Sequence, residues 1–412
     1  MPTVVLISQG DEVITGQTLD TNAQWLAERL TELGLSVVRK ITVGDRLNDI
    51  VDAIRQGTAL ADVVISTGGL GPTVDDLTAE AAAAVLGGPM RLDEEALAFI
   101  EALFARYGRT MNDANRKQAV LPASSTTLMN QWGTAPGFSI EHQGAVAFFV
   151  PGVPREMRAF WAHHIQPELV RRLSLTPGRL ITFRCMGIPE SHLEELMRPF
   201  NAIDGAVLGF RTKLPENQVK LRVDPDFPED RLDALVADIR STIGKGLFGV
   251  NCGPIEEVIG QALTERGETI ATAESCTGGQ ISATLTAIAG SSNYFIEGAC
   301  VYANAAKVRT CGVSEGTLAA HGAVSEPTAR EMAEGIRARA GTTYGLSSTG
   351  IAGPGGGSAE KPVGTVHIAL ATPNGTHHKR LRLGGDRERI TRLATGGALD
   401  MLRRHLQGLL RT

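Results

Sequence analysis

A chain of 412 residues exceeds one ordinary domain and is long enough for two or three cores. With 42% hydrophobic and 21% charged residues it reads as soluble and globular. A net charge of −5 and 5% aromatics argue against a general nucleic-acid binder, which carries a basic excess and stacking rings.

Val4–Ile7 is apolar enough for a strand, and Thr21–Leu33 has a helical period through Trp25, Leu26, Leu30 and Leu33. Val37–Val43 then reads as a strand, Ile50–Leu60 as a helix, Val63–Thr67 as a buried strand, and a helix follows from about Leu77. Such alternation predicts a mainly parallel sheet with helices on both faces over residues 1–170, with ligands beyond the carboxyl ends of its strands. Residues 177–250 read as a small α+β unit. Its strands are Arg179–Met186, Ala206–Arg211, Gln218–Val223 and Leu247–Val250; its helices are Pro189–Met197 and Asp233–Ile243. Asn251 to Pro254 marks a boundary, and residues 253–412 return to α/β alternation. There a helix, Ile255–Arg266, precedes a strand, a serine turn, a helix and a strand at Ala299–Tyr302. Strands Tyr344–Ser348, Thr365–Ala371 and His377–Leu383 follow, and a helix, Arg387–Leu406, closes the chain.

The five cysteines (Cys185, Cys252, Cys276, Cys300 and Cys311) are odd in number and lack metal-ligand spacing. They fit a reducing compartment, and with no basic leader and no apolar run near the roughly 20 residues that span a bilayer, a cytoplasmic location is expected.

The most informative stretch is Thr272-Ala273-Glu274-Ser275-Cys276-Thr277-Gly278-Gly279. It follows a short apolar run and precedes a helix-like run, so it reads as strand, glycine turn and helix start. That arrangement exposes a small nucleophile and points backbone N–H groups of Thr277, Gly278 and Gly279 at an oxyanion or a phosphate. The nucleophile is Ser275 or Cys276, whose thiol a helix N-terminus would acidify. A serine needs a base, and Lys307 or His321 is available; burial can lower a lysine pKa enough for that role. Tyr302 could relay a proton or hold the ligand. Thr349, Gly350 and the small residues up to Gly357 suit close backbone approach to a ligand, and Arg387 suits a phosphate or carboxylate.

In the N-terminal part, Gly68, Gly69 and Gly71 follow the Val63–Ile65 strand and suit a phosphate; Asp75 and Asp76 come next, where one helix cap would explain only one of them. Paired carboxylates beside a phosphate loop suit a hard divalent cation. Asp45 follows the second strand. Asn115 and Arg116 precede Lys117 and suit a phosphate, and Pro151 to Met157 forms a further small-residue loop.

The ordered set Ala273–Gly279, Ile288–Ser292, Tyr302–Lys307, His321–Ser325, Gly350–Pro354, Lys361–Val366 and Gly385–Arg387 resembles the C-terminal domain of the CinA family. That domain also occurs alone as PncC, a nicotinamide mononucleotide deamidase. The resemblance implies hydrolysis of the nicotinamide mononucleotide carboxamide by a serine–lysine pair, Ser275 and Lys307, with Tyr302, Thr349 and Arg387 around the ligand and no cofactor. This chain has Ala303-Asn304-Ala305-Ala306-Lys307 where the family often has Ser-Asn-Glu-Ala-Lys, so a glutamate contact is missing. Residues 3 to 165 resemble the CinA N-terminal domain, of MoaB/MogA-like fold, with Asp76, Thr78 and Glu80 matching its pattern and Asp45 a second acidic position. That resemblance implies metal-dependent cleavage of ADP-ribose, with Mg²⁺, Co²⁺ or Mn²⁺ held by Asp45, Asp75 and Asp76 and the diphosphate cradled by Gly68, Gly69 and Gly71. The 177–250 unit resembles the KH-like module between them. Ile243-Gly244-Lys245-Gly246 lacks the spacing of an RNA-reading loop, so a spacer or dimer-forming role is expected. The family further implies a homodimer, while the net charge of −5 and the few aromatics argue against direct nucleic-acid contact. It leaves two rival readings: a molybdopterin-binding protein, or a partner of recombination and competence proteins.

Overall fold

In the computed structural model, residues 2–175 and 178–410 are described, and the chain divides into two compact units, Met1–Arg179 and Leu180–Thr412. The first is built on strands β1 (Thr3–Gln9), β2 (Ser36–Val43), β3 (Val63–Thr67), β4 (Met90–Leu92), β5 (Val120–Pro122), β6 (Thr126–Leu128), β7 (Gly137–His142) and β8 (Ala145–Val150). Six of them form one sheet in the order β2-β1-β3-β8-β7-β6, parallel from β2 to β8 and antiparallel beyond; β4 and β5 form a separate ribbon. Every residue of β3 and β8 is buried, the pattern of strands covered on both faces. Helices α1 (Asp11–Ile14), α2 (Thr21–Glu32), α3 (Leu47–Leu60), α4 (Thr78–Leu86), α5 (Glu94–Arg106), α6 (Asp113–Lys117), α7 (Pro154–Phe160) and α8 (Gln166–Arg172) complete the unit. Ile50, Ile54, Ala81 and Val85 pack on one face of the sheet, and Leu26, Leu30, Met157 and Trp161 on the other.

The second unit holds two sheets. Strands β9 (Arg179–Met186), β10 (Ala206–Lys213), β11 (Glu216–Val223) and β12 (Leu247–Val250) lie in the order β10-β11-β9-β12, backed by α9 (Glu190–Met197) and α10 (Glu229–Ile243). After α11 (Ile255–Arg266) come β13 (Ile270–Glu274), α12 (Gln280–Thr286), β14 (Phe295–Cys300), α13 (Asn304–Cys311), α14 (Glu315–His321) and α15 (Glu326–Ala340). The chain continues through β15 (Tyr344–Gly350), β16 (Thr365–Thr372), β17 (Gly375–Arg382) and α16 (Arg387–Leu406). Their sheet runs β14-β13-β15-β16-β17, parallel across β14, β13 and β15 and antiparallel across the rest. Helix α16 also reaches the smaller sheet: buried Arg403 pairs with Asp400 and donates to the carbonyls of Leu247 and Lys245.

Two element boundaries around the serine turn differ from the sequence reading. The strand expected at Ala299–Tyr302 is Phe295–Cys300, an edge strand whose half-buried residues alternate with exposed ones such as Ile296; a strand of that kind carries no continuous apolar run. Strand β13 runs on through Glu274, so the turn begins at Ser275 rather than Thr272. In each unit the first strand of the parallel part lies between two neighbours, β1 between β2 and β3 and β13 between β14 and β15. Those are the points where such sheets open a crevice beyond their carboxyl ends.

Candidate active sites

At the end of β13, Ser275 is 8% exposed and its amide donates to the Ser348 carbonyl of β15 at 2.9 Å. Its Oγ lies 3.2 Å from Nζ of Lys307, the fourth residue of α13. Lys307 is 1% exposed, and its Nζ also donates to the carbonyls of Val301 at 2.9 Å and Tyr302 at 3.1 Å. No carboxylate pairs with it among the described residues. Burial holds its pKa below the ordinary lysine value; the nearby thiols of Cys276, Cys311 and Cys300 oppose that less strongly. A neutral amine has two N–H groups and one lone pair. In that form the two carbonyls can take both N–H groups and leave the lone pair for the Ser275 hydroxyl. Cys276 is no rival: burial pushes its thiol up to about 12, so it holds its proton.

The glycine turn is arranged differently from the expectation. Glu274 is fully buried and gathers five donors. Its Oε2 accepts from the amides of Gly279 and Ile281 and from Thr277 Oγ1, and its Oε1 from the amide and hydroxyl of Ser282, all at 2.6–3.0 Å. The start of α12 is therefore already filled by a carboxylate of its own chain. The Gly279 amide is unavailable to a ligand, the Gly278 amide closes the turn on the Ser275 carbonyl, and the Thr277 side chain is 2% exposed. Gly278 and Gly279 serve the turn by their φ of 61° and 98°. The Thr277 amide has no acceptor among the described residues, and the Cys276 amide faces its own thiol.

Tyr302 and Arg387 sit together at the rim. Tyr302 is 57% exposed and its hydroxyl accepts from Arg387 Nη2 at 2.7 Å, while Arg387 Nη1 donates to the Gly353 carbonyl at 2.7 Å. It is the carbonyl of Tyr302 that touches the lysine, so a proton relay through its phenol is not what the geometry offers. Thr349 is turned inward with Oγ1 on the Ala323 carbonyl at 2.7 Å, and Gly350 allows β15 to lie against Val366 and Thr365. Neither offers a side chain to a ligand. His321 is exposed and its carbonyl accepts from Lys361 Nζ, with no contact to Ser275.

In the first unit, the loops after β1, β2, β3 and β8 enclose a cavity of about 530 Å³ lined by Gly68, Gly69, Gly71, Asp45, Asp75 and Asp76. The sequence reading thus places these six in one crevice. Asp76 folds onto its own loop, its Oδ2 accepting from Thr73 N at 2.8 Å and Thr73 Oγ1 at 2.5 Å. Asp45 exchanges hydrogen bonds with Asp11, its Oδ2 accepting from the Asp11 amide at 3.0 Å. Burial is the main cause of its raised pKa, and the carboxylates of Asp11, Glu12 and Asp75 add to it. Arg116 lines an adjoining cavity of about 310 Å³ together with Gly69, Gly71 and Asp76. Asn115 is not among the residues lining either cavity; its amide is capped by Asn112 and its side chain lies against Gln118. Lys117 donates to the carbonyls of Thr73 and Asp76 and pairs with Glu80, which fixes the loop.

Two participants were not read from the sequence. Gln9, 5% exposed, donates to Ser66 Oγ and accepts from Thr78 Oγ1, both at 2.6 Å. A Cβ on Gly69 would lie 2.2 Å from Thr78 Oγ1, so that glycine is required by this packing. Glu156 lines the larger cavity and is held by buried Asn130 at 2.7 Å. Among the described residues no group of three or more His, Cys, Asp or Glu is arranged to hold a metal ion.

Two family models match the chain: "CinA C-terminal domain" over residues 253–406 and "Probable molybdopterin binding domain" over residues 5–171. The chain is 43% identical over 403 residues to a CinA-like protein of Anaeromyxobacter sp. (strain Fw109-5), covering 97% of this chain and 98% of the relative. It is 42% identical over 412 residues to a CinA-like protein of Myxococcus xanthus (strain DK1622), covering 98% of each. The solved competence/damage inducible protein CihA from Agrobacterium tumefaciens is 45% identical and corresponds to 38% of this chain and 97% of its own, with a TM-score of 0.36.

Proposed function

The chain belongs to the CinA family, and from that premise we propose that it is a hydrolase whose second unit deamidates nicotinamide mononucleotide to nicotinate mononucleotide and ammonia. The observation that carries the reading is the buried Lys307 amine, 3.2 Å from Ser275 and bound otherwise only to two carbonyls. Ser275 Oγ attacks the carboxamide carbon as its proton passes to Lys307. The resulting tetrahedral oxyanion is served by the Thr277 amide, which has no acceptor among the described residues, with the Cys276 amide, turned toward its own thiol, beside it. Lys307 then protonates the departing nitrogen, and ammonia leaves an ester on Ser275. A water, deprotonated by Lys307, cleaves that ester and restores the serine. Arg387, braced by Tyr302 and Gly353, offers its remaining N–H groups to the substrate phosphate. The assay is ammonia release from nicotinamide mononucleotide. Full activity in Ser275→Ala or Lys307→Ala would end this assignment.

For the first unit the reading is hydrolysis of ADP-ribose to AMP and ribose 5-phosphate with a divalent cation such as Mg²⁺, Co²⁺ or Mn²⁺. The donor set fits a cation shared with its substrate: Asp45 and Asp75 already repel each other, so the site is short of positive charge, yet it offers no complete cage. Asp45, Asp75 and Asp76 line the cavity without forming a three-carboxylate cage, so they would hold the ion only together with the substrate's own phosphates; when bound it would neutralise diphosphate charge and acidify water. Gly68, Gly69 and Gly71 let the backbone approach the phosphates, and Arg116 adds a cation from the adjoining cavity. The match to a molybdopterin-binding model supports a second reading, pterin binding in the same crevice. A pterin titration set beside AMP release from ADP-ribose decides between them. A cytoplasmic homodimer is part of the proposal, and contact with recombination or competence proteins belongs to the rival, non-enzymatic reading; no helix among the described residues is long and apolar enough to cross a membrane.

A further inference from the structure

Beyond the serine and lysine, one cluster of titratable groups in the second unit has no part in the chemistry above. His367 Nδ1 lies 2.9 Å from His378 Nε2, and His378 Nδ1 lies 3.2 Å from Glu326 Oε2. The rings stack at 5.1 Å, and His367 is 8% exposed. Arg330 donates to the other oxygen of Glu326 at 2.8 Å, which helps to keep that carboxyl ionised. An ionised Glu326 3.2 Å from His378 Nδ1 favours the proton on that nitrogen. A neutral His378 then has a bare Nε2, so His367 must donate through Nδ1–H. One arrangement of protons satisfies the whole chain.

Its location ties it to the nucleophile. Thr349 of β15 pairs with His367 of β16, and His367 with Arg380 of β17. Ser275 follows Glu274, whose partner on β15 is Ser348, the residue before Thr349. Ser275, Thr349, His367 and Arg380 thus succeed one another across adjacent strands, placing His367 about 10 Å from the nucleophile at the usual strand spacing. The same sheet face carries α15: Ser347 donates to the Ala329 carbonyl, and Ala369 packs on Ala329 and Ala333. Glu326 opens α15, and the segment just before that helix supplies the Ala323 carbonyl that fixes Thr349.

We propose that Glu326, His378 and His367 are positioning residues for the deamidase site, a proton-ordered strap that fastens the start of α15 to β16 and β17 and so holds the Ala323–Thr349 contact beside Ser275. This rests on the deamidase reading. The strap tolerates one added proton, because a charged ring still shares a single N–H with its neighbour; two protons set N–H against N–H at 2.9 Å. Burial, then the neighbouring charges, sets where that happens. His367 faces His378 and Arg380 on β17, Lys361 on the preceding loop and Glu326 on α15, and burial with this mostly cationic company holds it down to about 4. His378 faces Glu326 and Arg330 and is also lowered, chiefly by burial. A lowered histidine favours the neutral form in the fold. Its stabilisation is complete above the ordinary value near 6.5 and is lost as pH falls toward the folded value.

The test uses the full chain and two variants. His378→Gln can donate to Glu326 and accept from His367 without titrating; His378→Phe keeps the ring and loses both bonds. His378→Gln is expected to keep ammonia release at pH 7.5 within about threefold and to extend it to lower pH than wild type. His378→Phe is expected to lose roughly ten- to a hundredfold in kcat/KM. A His378→Gln profile that superimposes on wild type from pH 8 down through the His367 value of about 4 overturns the proposal. So does His378→Phe at full activity. Selective ¹⁵N-histidine NMR supplies a readout that needs no turnover: at pH 7.5 both rings must carry the proton on Nδ1. A protonated His378 Nε2 sinks the strap even if deamidation stands, whereas the expected tautomers in a chain that releases no ammonia leave the strap and remove the deamidase.

Discussion

The two crevices share a plan and differ in charge. Each lies beyond the carboxyl end of a strand held between two parallel neighbours, and each has a glycine turn leading into a helix. In the second unit the turn is closed by its own carboxylate, Glu274, and a single cation, Lys307, is buried against carbonyls. In the first unit Asp45, Asp75 and Asp76 share one cavity with Glu12 and Glu156. A desolvated amine makes its own base from the chain alone. A crowd of carboxylates has the opposite need, because charge of the other sign must come from elsewhere. The glycines differ as well. Gly69, Gly278 and Gly279 are all left-handed, but only at Gly69 would a Cβ also strike Gln9 and Thr78.

Several measurements would break or sharpen that contrast. The largest effect is expected from Lys307→Ala and Ser275→Ala, each lowering ammonia release by about a thousandfold or more while AMP release from ADP-ribose is unchanged. A parallel loss in both assays would mean the two crevices are not separate machines. Chelation of divalent cations, or Asp76→Ala, should do the converse, abolishing AMP release and leaving ammonia release intact. Glu274→Leu leaves the donors at the start of α12 without an acceptor and should cost about 3 kcal/mol or more in urea unfolding. An unchanged midpoint would show that water replaces the carboxylate.

The pH dependence follows from the lowered pKa of Lys307. Deamidation needs the neutral amine, so kcat/KM should rise with pH and level off below the ordinary lysine value of 10.5. Over the same interval the unfolded chain still holds the proton that the fold has released, so stability should rise with pH between the lowered value and 10.5. A limb that climbs all the way to 10.5 would mean the amine is not desolvated. The smallest effect belongs to Tyr302→Phe, which removes only the brace on Arg387 and should raise KM a few-fold with kcat nearly unchanged.

What could be read in the sequence was governed by where side chains point. Ser275 and Lys307 were legible because a nucleophile on a turn and a lysine at a helix start are recognisable from spacing, and the ordered family motifs singled them out from Cys276 and His321. Glu274 was not, because nothing in a β-strand tells a buried carboxylate that caps the next helix from one exposed at a strand end. Tyr302 was read for its phenol, yet its carbonyl makes the contact, and main-chain roles leave no trace in residue identity. Thr349 was read as facing a ligand; which way it turns depends on the Ala323 segment, which arrives from elsewhere in the chain. The same holds for Gln9, hidden in an apolar strand, and for Asn115, whose polar neighbours suggested a phosphate but whose side chain serves its own short helix.

Arg403 has a practical consequence. Its guanidinium is 1% exposed, and some of its acceptors lie at Lys245 and Leu247, before the boundary near Asn251–Pro254. Cutting the chain there would leave the closing helix with a desolvated cation deprived of those acceptors. A truncated version of the C-terminal part is therefore better designed with Arg403 and Asp400 changed together, or with the preceding four strands retained.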